Sequence, residues 1–170
     1  MRRVLVSDTS VLIDLERGNF LEATFRLSWE FAVPDLLYKR ELRDHNGPEL
    51  LRLGLRVEAL TEDGVRIALS YRARSAALSL PDTFAITLAK IHGWVLLSGD
   101  AELRRLATED RIPSHGVLWV LDQMLDERGA SPELLLHGLT AISVHPRCRL
   151  PRAEIRNRLD HYVGLLRDLS

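Results

Sequence analysis

The sequence predicts an α/β domain built on a mainly parallel sheet, and three observations carry that expectation. Four short apolar runs, Arg3–Val6, Glu30–Val33, Leu55–Leu60 and Trp94–Leu97, have the length and composition of buried strands. Longer stretches with helical spacing of apolar residues separate them, the pattern of parallel strands joined by crossover helices. Helix-boundary residues stand at the junctions: Pro34 at a first helical position, Thr61 at an N-cap and Gly93 at a stop.

Taken in order, Arg3–Val6 runs into Ser7, Asp8, Thr9 and Ser10, and a helix over Thr9–Glu16 follows. Phe20–Trp29 is an apolar-rich helical stretch before the second strand. PDLLYKRELRD, residues 34–44, reads as a helix opened by proline. Thr61–Ala77 begins TEDG, with acids in its first turn that suit the helix dipole. SLPDTFAITLAKIH, residues 79–92, is apolar on most sides and should be a buried helix. Gly99–Ala107 and Val117–Arg128 are further helices, and after Gly129 the pattern is purely helical, over Ser131–Ile142 and Arg152–Leu166 with HPRCRLP between them. The expected organisation is a main domain over residues 1–129 and a helical extension over 130–170, packed on it and without chemistry of its own.

The bulk properties narrow the function. An apolar content of 46% suits a chain that buries a core. The lone cysteine, Cys148, excludes an internal disulfide and fits a reducing cytoplasm. The basic start at Met1-Arg2-Arg3 is followed by only three apolar residues before Asp8, too few for a secretory leader, and no run suggests a membrane span. A net charge of −1 argues against a protein that coats nucleic acid, but an acidic centre can offset an arginine-rich rim in the total. The basic residues are nearly all arginine, Lys39 and Lys90 being the only lysines.

Four carboxylates stand in places that need explaining. In an open parallel sheet, ligands collect beyond the carboxyl ends of the strands. Asp8 follows the first strand there, and Asp100 follows the Trp94–Leu97 strand at the same edge. Asp82 opens the buried helix, on the face of Ala85, Ile86 and Ala89. Glu41 lies one turn after Leu37. Each has an ordinary reading: Asp8 and Asp100 as helix caps, Asp82 as a first-turn acid, Glu41 as a solvated side chain. Brought together, they would repel and be costly to desolvate unless a hard divalent cation neutralised them. Oxygen-only ligands suit Mg2+ or Mn2+, and such ions support phosphodiester hydrolysis.

DTSVLID, the PxxxxxxE helix, LPDTFAITLA and LLSGDAELRRLA, in that order, resemble the PIN-domain family of metal-dependent ribonucleases, especially the toxins of VapBC-type toxin–antitoxin pairs. The resemblance covers roughly residues 3–128. It implies a three-layer α/β/α fold, Mg2+ or Mn2+, cleavage of RNA, an antitoxin partner for the toxin branch and frequent homodimers. On it, the four family acids fall on Asp8, Glu41, Asp82 and Asp100, as metal ligands and catalytic groups. Ser10 would orient Asp8 or a bound water. Ser98, where the family often has threonine, would do the same for Asp100.

Other residues receive plainer readings. Asp14 is peripheral, His45 is surface, and His137, His145 and Cys148 lack the paired spacing of a zinc site. Of Arg104 and Arg105, one is expected to face phosphate and the other solvent. Trp29, Trp94 and Trp119 are read as core. Helices around Phe20–Trp29 and Thr61–Ala77 are the expected dimer surfaces. A GxGxxG loop and a GxSxG elbow are both missing, which sets aside dinucleotide binding and nucleophile-elbow hydrolysis. The remaining alternative is a catalytically inactive PIN-like module that binds RNA or protein.

Overall fold

The computed structural model describes residues 3–170. Met1 and Arg2, the start of the leader-like stretch considered above, lie outside the described residues. β1 (Arg3–Ser7) has Val4 to Ser7 buried, as a strand covered on both faces must be. It is followed by α1 (Thr9–Arg17) and α2 (Leu21–Phe25), then by β2 (Trp29–Pro34), and β1 pairs with β2 in parallel, Leu5 opposite Phe31. β3 (Arg56–Glu58) extends the sheet on that side. Beyond them come α5 (Glu62–Arg74), α6 (Leu80–His92), β4 (Val95–Leu97), α7 (Ala101–Glu109), β5 (Ser114–His115) and α8 (Val117–Asp126). Among the described residues the sheet has five strands, all parallel, in the order β3-β2-β1-β4-β5. That order puts the first strand in the middle, with chain directions diverging on either side of it.

Each face of the sheet has its own core. Val6 and Leu96 point to one, with Tyr71, Leu78, Ile86, Leu88, Leu103 and Leu106 from α5 to α7. Leu5, Phe31, Val33 and Leu97 point to the other, with α1, α2 and α8. The result is the expected three-layer α/β/α arrangement.

α6 is buried as its sequence demands, from Thr83 through Ala89 apart from a half-buried Phe84. Its buried threonines satisfy themselves locally: Thr83 Oγ1 donates to the Leu80 carbonyl and Thr87 Oγ1 to that of Thr83, each at 2.7 Å. Ser79 caps it in a reciprocal box with Asp82, and Gly93 ends it at φ 66°. Thr61 caps α5 by accepting from the Gly64 amide at 3.2 Å.

The segment after β2 departs from expectation. Instead of one helix over 34–44, Pro34 ends the strand, α3 (Asp35–Leu37) is a single turn, and Tyr38–Leu42 winds as a π-helix. The next helix, α4 (Gly47–Leu53), was not among the expected elements. Gly47 is there for space: a Cβ on it would lie 2.6 Å from the Leu42 carbonyl oxygen and 2.9 Å from the Tyr38 ring. β5 also went unexpected, being two polar residues at the sheet edge.

Two helices complete the chain, α9 (Pro132–Val144) and α10 (Arg152–Asp168). Leu135, Leu139, Ile142, Ile155 and Tyr162 belong to the same core as Leu15 and Phe20. Gly138 lets α9 seat there, since a Cβ on it would fall 2.1 Å from Phe20 Cζ and 2.5 Å from the Gly18 carbonyl oxygen. Phe20, Leu27 and Trp29 are buried inside the chain, so the Phe20–Trp29 stretch spends most of its apolar groups on its own core, with Leu21 and Phe25 only partly buried. Trp94 and Trp119 are half-buried rather than fully enclosed.

Candidate active site

The carboxyl edge of the sheet is set by register. Ser7 lies opposite Leu97, so Asp8 comes level with Ser98, and the Asp8 amide donates to the Leu97 carbonyl at 2.9 Å. Asp8 is only 3% exposed. It caps α1: Oδ1 accepts from the Val11 amide at 3.1 Å and from Ser10 Oγ at 2.8 Å, while Ser98 Oγ donates to Oδ2. Burial pushes the Asp8 carboxyl above its ordinary value; the Ser98, Ser10 and Val11 donors pull it down, and the negative charge of Asp82 adds to the rise. The charged neighbour of this buried acid is therefore another acid.

Ser98 serves two carboxylates' residues rather than one. It is fully buried, donates to Asp8, and accepts from the Asp100 amide at 3.0 Å. Its hydroxyl thus fixes the loop that carries Asp100 but does not touch the Asp100 carboxylate. Asp100 caps α7, with Oδ1 accepting from the Leu103 amide at 2.8 Å, and is exposed. Ser10 also accepts from the Gly99 amide at 3.3 Å, tying the two strand-end loops together.

Glu41 sits on the π-helical turn and receives a hydrogen bond from Thr9 Oγ1. This is the contact that sequence reasoning missed; Thr9 was visible only as a hydroxyl neighbour of Asp8. A widened turn is where a helix re-aims one side chain, and such turns concentrate at functional sites. Asp82 lies at the third position of α6, where its Oδ2 accepts from the Ser79 amide at 3.3 Å.

The ordinary readings are thus real for three of the acids: Asp8, Asp82 and Asp100 each support a helix start. They leave chemistry over. Among the described residues no donor reaches Glu41 Oε1, Asp82 Oδ1 or Asp100 Oδ2. The connections run in two sets, Asp8 with Asp82, Ser10, Ser98 and the Asp100 loop, and Thr9 with Glu41 next door in sequence. Among the described residues, no group of three or more His, Cys, Asp or Glu side chains is arranged to hold a metal ion. The donor set nonetheless fits a hard divalent cation: all oxygen, one buried carboxylate with an acidic neighbour, and spare oxygens on the other three acids.

Asp14 stays outside this group, held by Arg17 at 3.5 Å. Arg105 is tied to Glu102 and Glu109, while Arg104 lies beside Gly116 at the end of β5. A cavity of about 610 Å3 opens next to Glu41, lined by Thr9, Leu12, Ile13, Leu42, His45 and Asn46 among others. No helix among the described residues is long and apolar enough to cross a membrane.

Comparison with known proteins agrees with this architecture. No curated protein matches the chain. A solved structure, a PilT N-terminus domain protein, SSO1118, from the hyperthermophilic archaeon Sulfolobus solfataricus P2, is similar over 72% of this chain and 94% of its own, with a TM-score of 0.53 and 14% identity. That likeness concerns the fold. A family model described as DUF3368: PIN domain matches residues 4–161, from the first strand into the last helix. The chain belongs to the PIN-domain family, which has a nuclease-type fold.

Proposed function

We propose that this chain is an endoribonuclease that hydrolyses RNA phosphodiester bonds with Mg2+ or Mn2+. The observation that carries the reading is Asp8, a desolvated carboxylate at the end of the central strand whose charged neighbour is Asp82. A buried carboxylate with a second acid beside it is expensive without a cation, and a chain that retains one gains if a cation binds there. Asp8, Glu41, Asp82 and Asp100 would supply the ligand oxygens. A bound divalent ion would polarise the scissile phosphate and favour deprotonation of the attacking water. The protein's own contribution is rigidity. Ser10 and Ser98 hold the Asp8 carboxylate from both oxygens, Thr9 holds Glu41, and three helix caps fix the acids to elements rather than loops.

The toxin role, an antitoxin partner, a homodimer and a cytoplasmic location belong to the same proposal. Leu69 and Ile91, on α5 and α6, are exposed apolar residues suited to a shared dimer surface. A small neighbouring reading frame encoding a DNA-binding protein would support the toxin role.

The test is cleavage of single-stranded RNA by the purified chain with Mn2+, with Mg2+ and with EDTA, beside Glu41→Gln and Asp100→Asn. Expected are metal-dependent cutting by the parent and a loss of order 10^2 in each variant. A parent that binds RNA but never cuts it under any metal would leave the binding-module reading instead.

A further inference from the structure

We infer that Arg104 and Arg111 form a track for the phosphate backbone of single-stranded RNA, leading away from the acidic site along α7. This inference rests on the nuclease reading for its substrate and on separate geometry for its place.

Asp100 caps the N-terminus of α7, and Arg104 follows one turn later. A Cβ on Gly116 would lie 3.7 Å from the Ser98 carbonyl oxygen and 3.8 Å from Arg104 Nη1. The guanidinium therefore sits at the strand end that holds Ser98, on the flank of the acids. Its positive charge reaches His115 in β5, which burial and Arg104 together keep below the usual imidazole range. His115 stacks on Trp119 with ring centroids 4.2 Å apart.

From there an open cavity of about 570 Å3 continues, lined by Arg104, Arg105, Thr108, Arg111, Ile112, Pro113 and Ser114. Arg105 is occupied, bonding to Glu102 at 2.6 and 2.9 Å and to Glu109. Among the described residues Arg104 and Arg111 make no ion pair. Arg111 stands just past the helix, at φ 57°, with its amide donating to Thr108 and that of Ile112 to Ala107. The two guanidinium-bearing positions are seven residues apart along and just past α7, about 10 Å at the rise of a helix, room for two phosphates of one strand. Guanidinium forks match phosphate oxygens, and Thr108 and Ser114 add hydroxyl donors on the same wall. The acids repel a polyanion, so a strand needs such a handhold beside them.

The experiment measures anisotropy of a labelled single-stranded oligoribonucleotide in EDTA, across a salt series, with the parent, the Arg104→Gln/Arg111→Gln double variant, each of its single variants, and Arg105→Gln as the neighbouring control that removes one charge like each single variant. Melting temperatures verify that each is folded. The double variant should bind at least tenfold more weakly at low salt and lose about 1.4 from the log–log salt slope, roughly 0.7 per phosphate contact. Arg105→Gln should bind like the parent. Unchanged affinity and slope in the double variant, an equal loss in Arg105→Gln, or a parent that binds no RNA would each overturn the track. Mn2+-dependent cleavage by the parent is scored separately. A parent that binds through these arginines and does not cut defeats the nuclease reading and leaves the track; a parent that cuts while the double variant binds normally does the reverse.

Discussion

Asp8 combines a helix cap with a buried charge, and the two pull stability in opposite directions. The Asn variant keeps the acceptor oxygen for the Val11 amide and removes the charge. Asp8→Asn should therefore raise the melting temperature of metal-free protein at pH 7. The sign follows from burial. The folded pKa lies above the ordinary 3.8, so the folded chain holds the extra proton, and the penalty appears as pH rises through that folded value. The gain in Asp8→Asn is thus complete only above the raised folded value, shrinks as pH falls below it and disappears near 3.8 and below. Mn2+ should stabilise the parent and not the variant, by the usual linkage. A variant less stable than the parent in EDTA at pH 7 would contradict this. Asp82→Asn is subtler, because Asp82 both supports its helix and presses on Asp8. The lost charge–dipole term, up to about 1 kcal/mol, and the relieved repulsion offset each other, so apo stability should hardly move while metal-dependent cleavage falls by a factor of order 10^2. Asp8, Asp82 and Asp100 stand out in the sequence because each ends an apolar run or opens an apolar helix, while Glu41 stands out only through the family resemblance. Their hydroxyl partners were only half legible. Ser98 faces Asp8 across the sheet, a relation fixed by strand register rather than by chain neighbourhood.

At the scale of elements, regular segments could be read and compensated ones could not. α6 shows its full boundaries in sequence because Ser79, Asp82 and Gly93 spell out both ends. The π-turn of Tyr38–Leu42 leaves no such trace: an extra residue per turn shifts no polar pattern over five residues. Gly47 opens α4 and Gly138 sits within α9, for reasons of space that only the packed structure displays. Gly138→Ala tests this. Helix propensity alone would reward the change by about 1 kcal/mol. Contact with the Gly18 carbonyl and Phe20 should outweigh that, for a net loss of about 1–3 kcal/mol in urea denaturation. Any gain in stability would mean that α9 seats less tightly than described.

For the whole molecule, α9 and α10 complete a core begun by α1 and α2. A chain cut after Gly129 leaves Leu15 and Phe20 without the cover of Leu139 and Ile142. It is expected to expose apolar surface, bind a hydrophobic dye and lose cooperative melting. A cooperative transition near that of the full chain would show that the main core closes alone. Light scattering at high micromolar concentration addresses assembly, with a dimer expected and its loss in Leu69→Glu tying it to the α5–α6 face. Fold class was readable from strand–helix alternation; which face the last helices cover was not, since amphipathic spacing gives a stripe and not its partner.

The seat of Gly138 on Phe20 also sets an order of events during synthesis. The first helices emerge early with an open hydrophobic side, and the segment that closes it is translated well after them, at about 5–20 residues per second. For those seconds the nascent chain carries its acids on an unfinished frame.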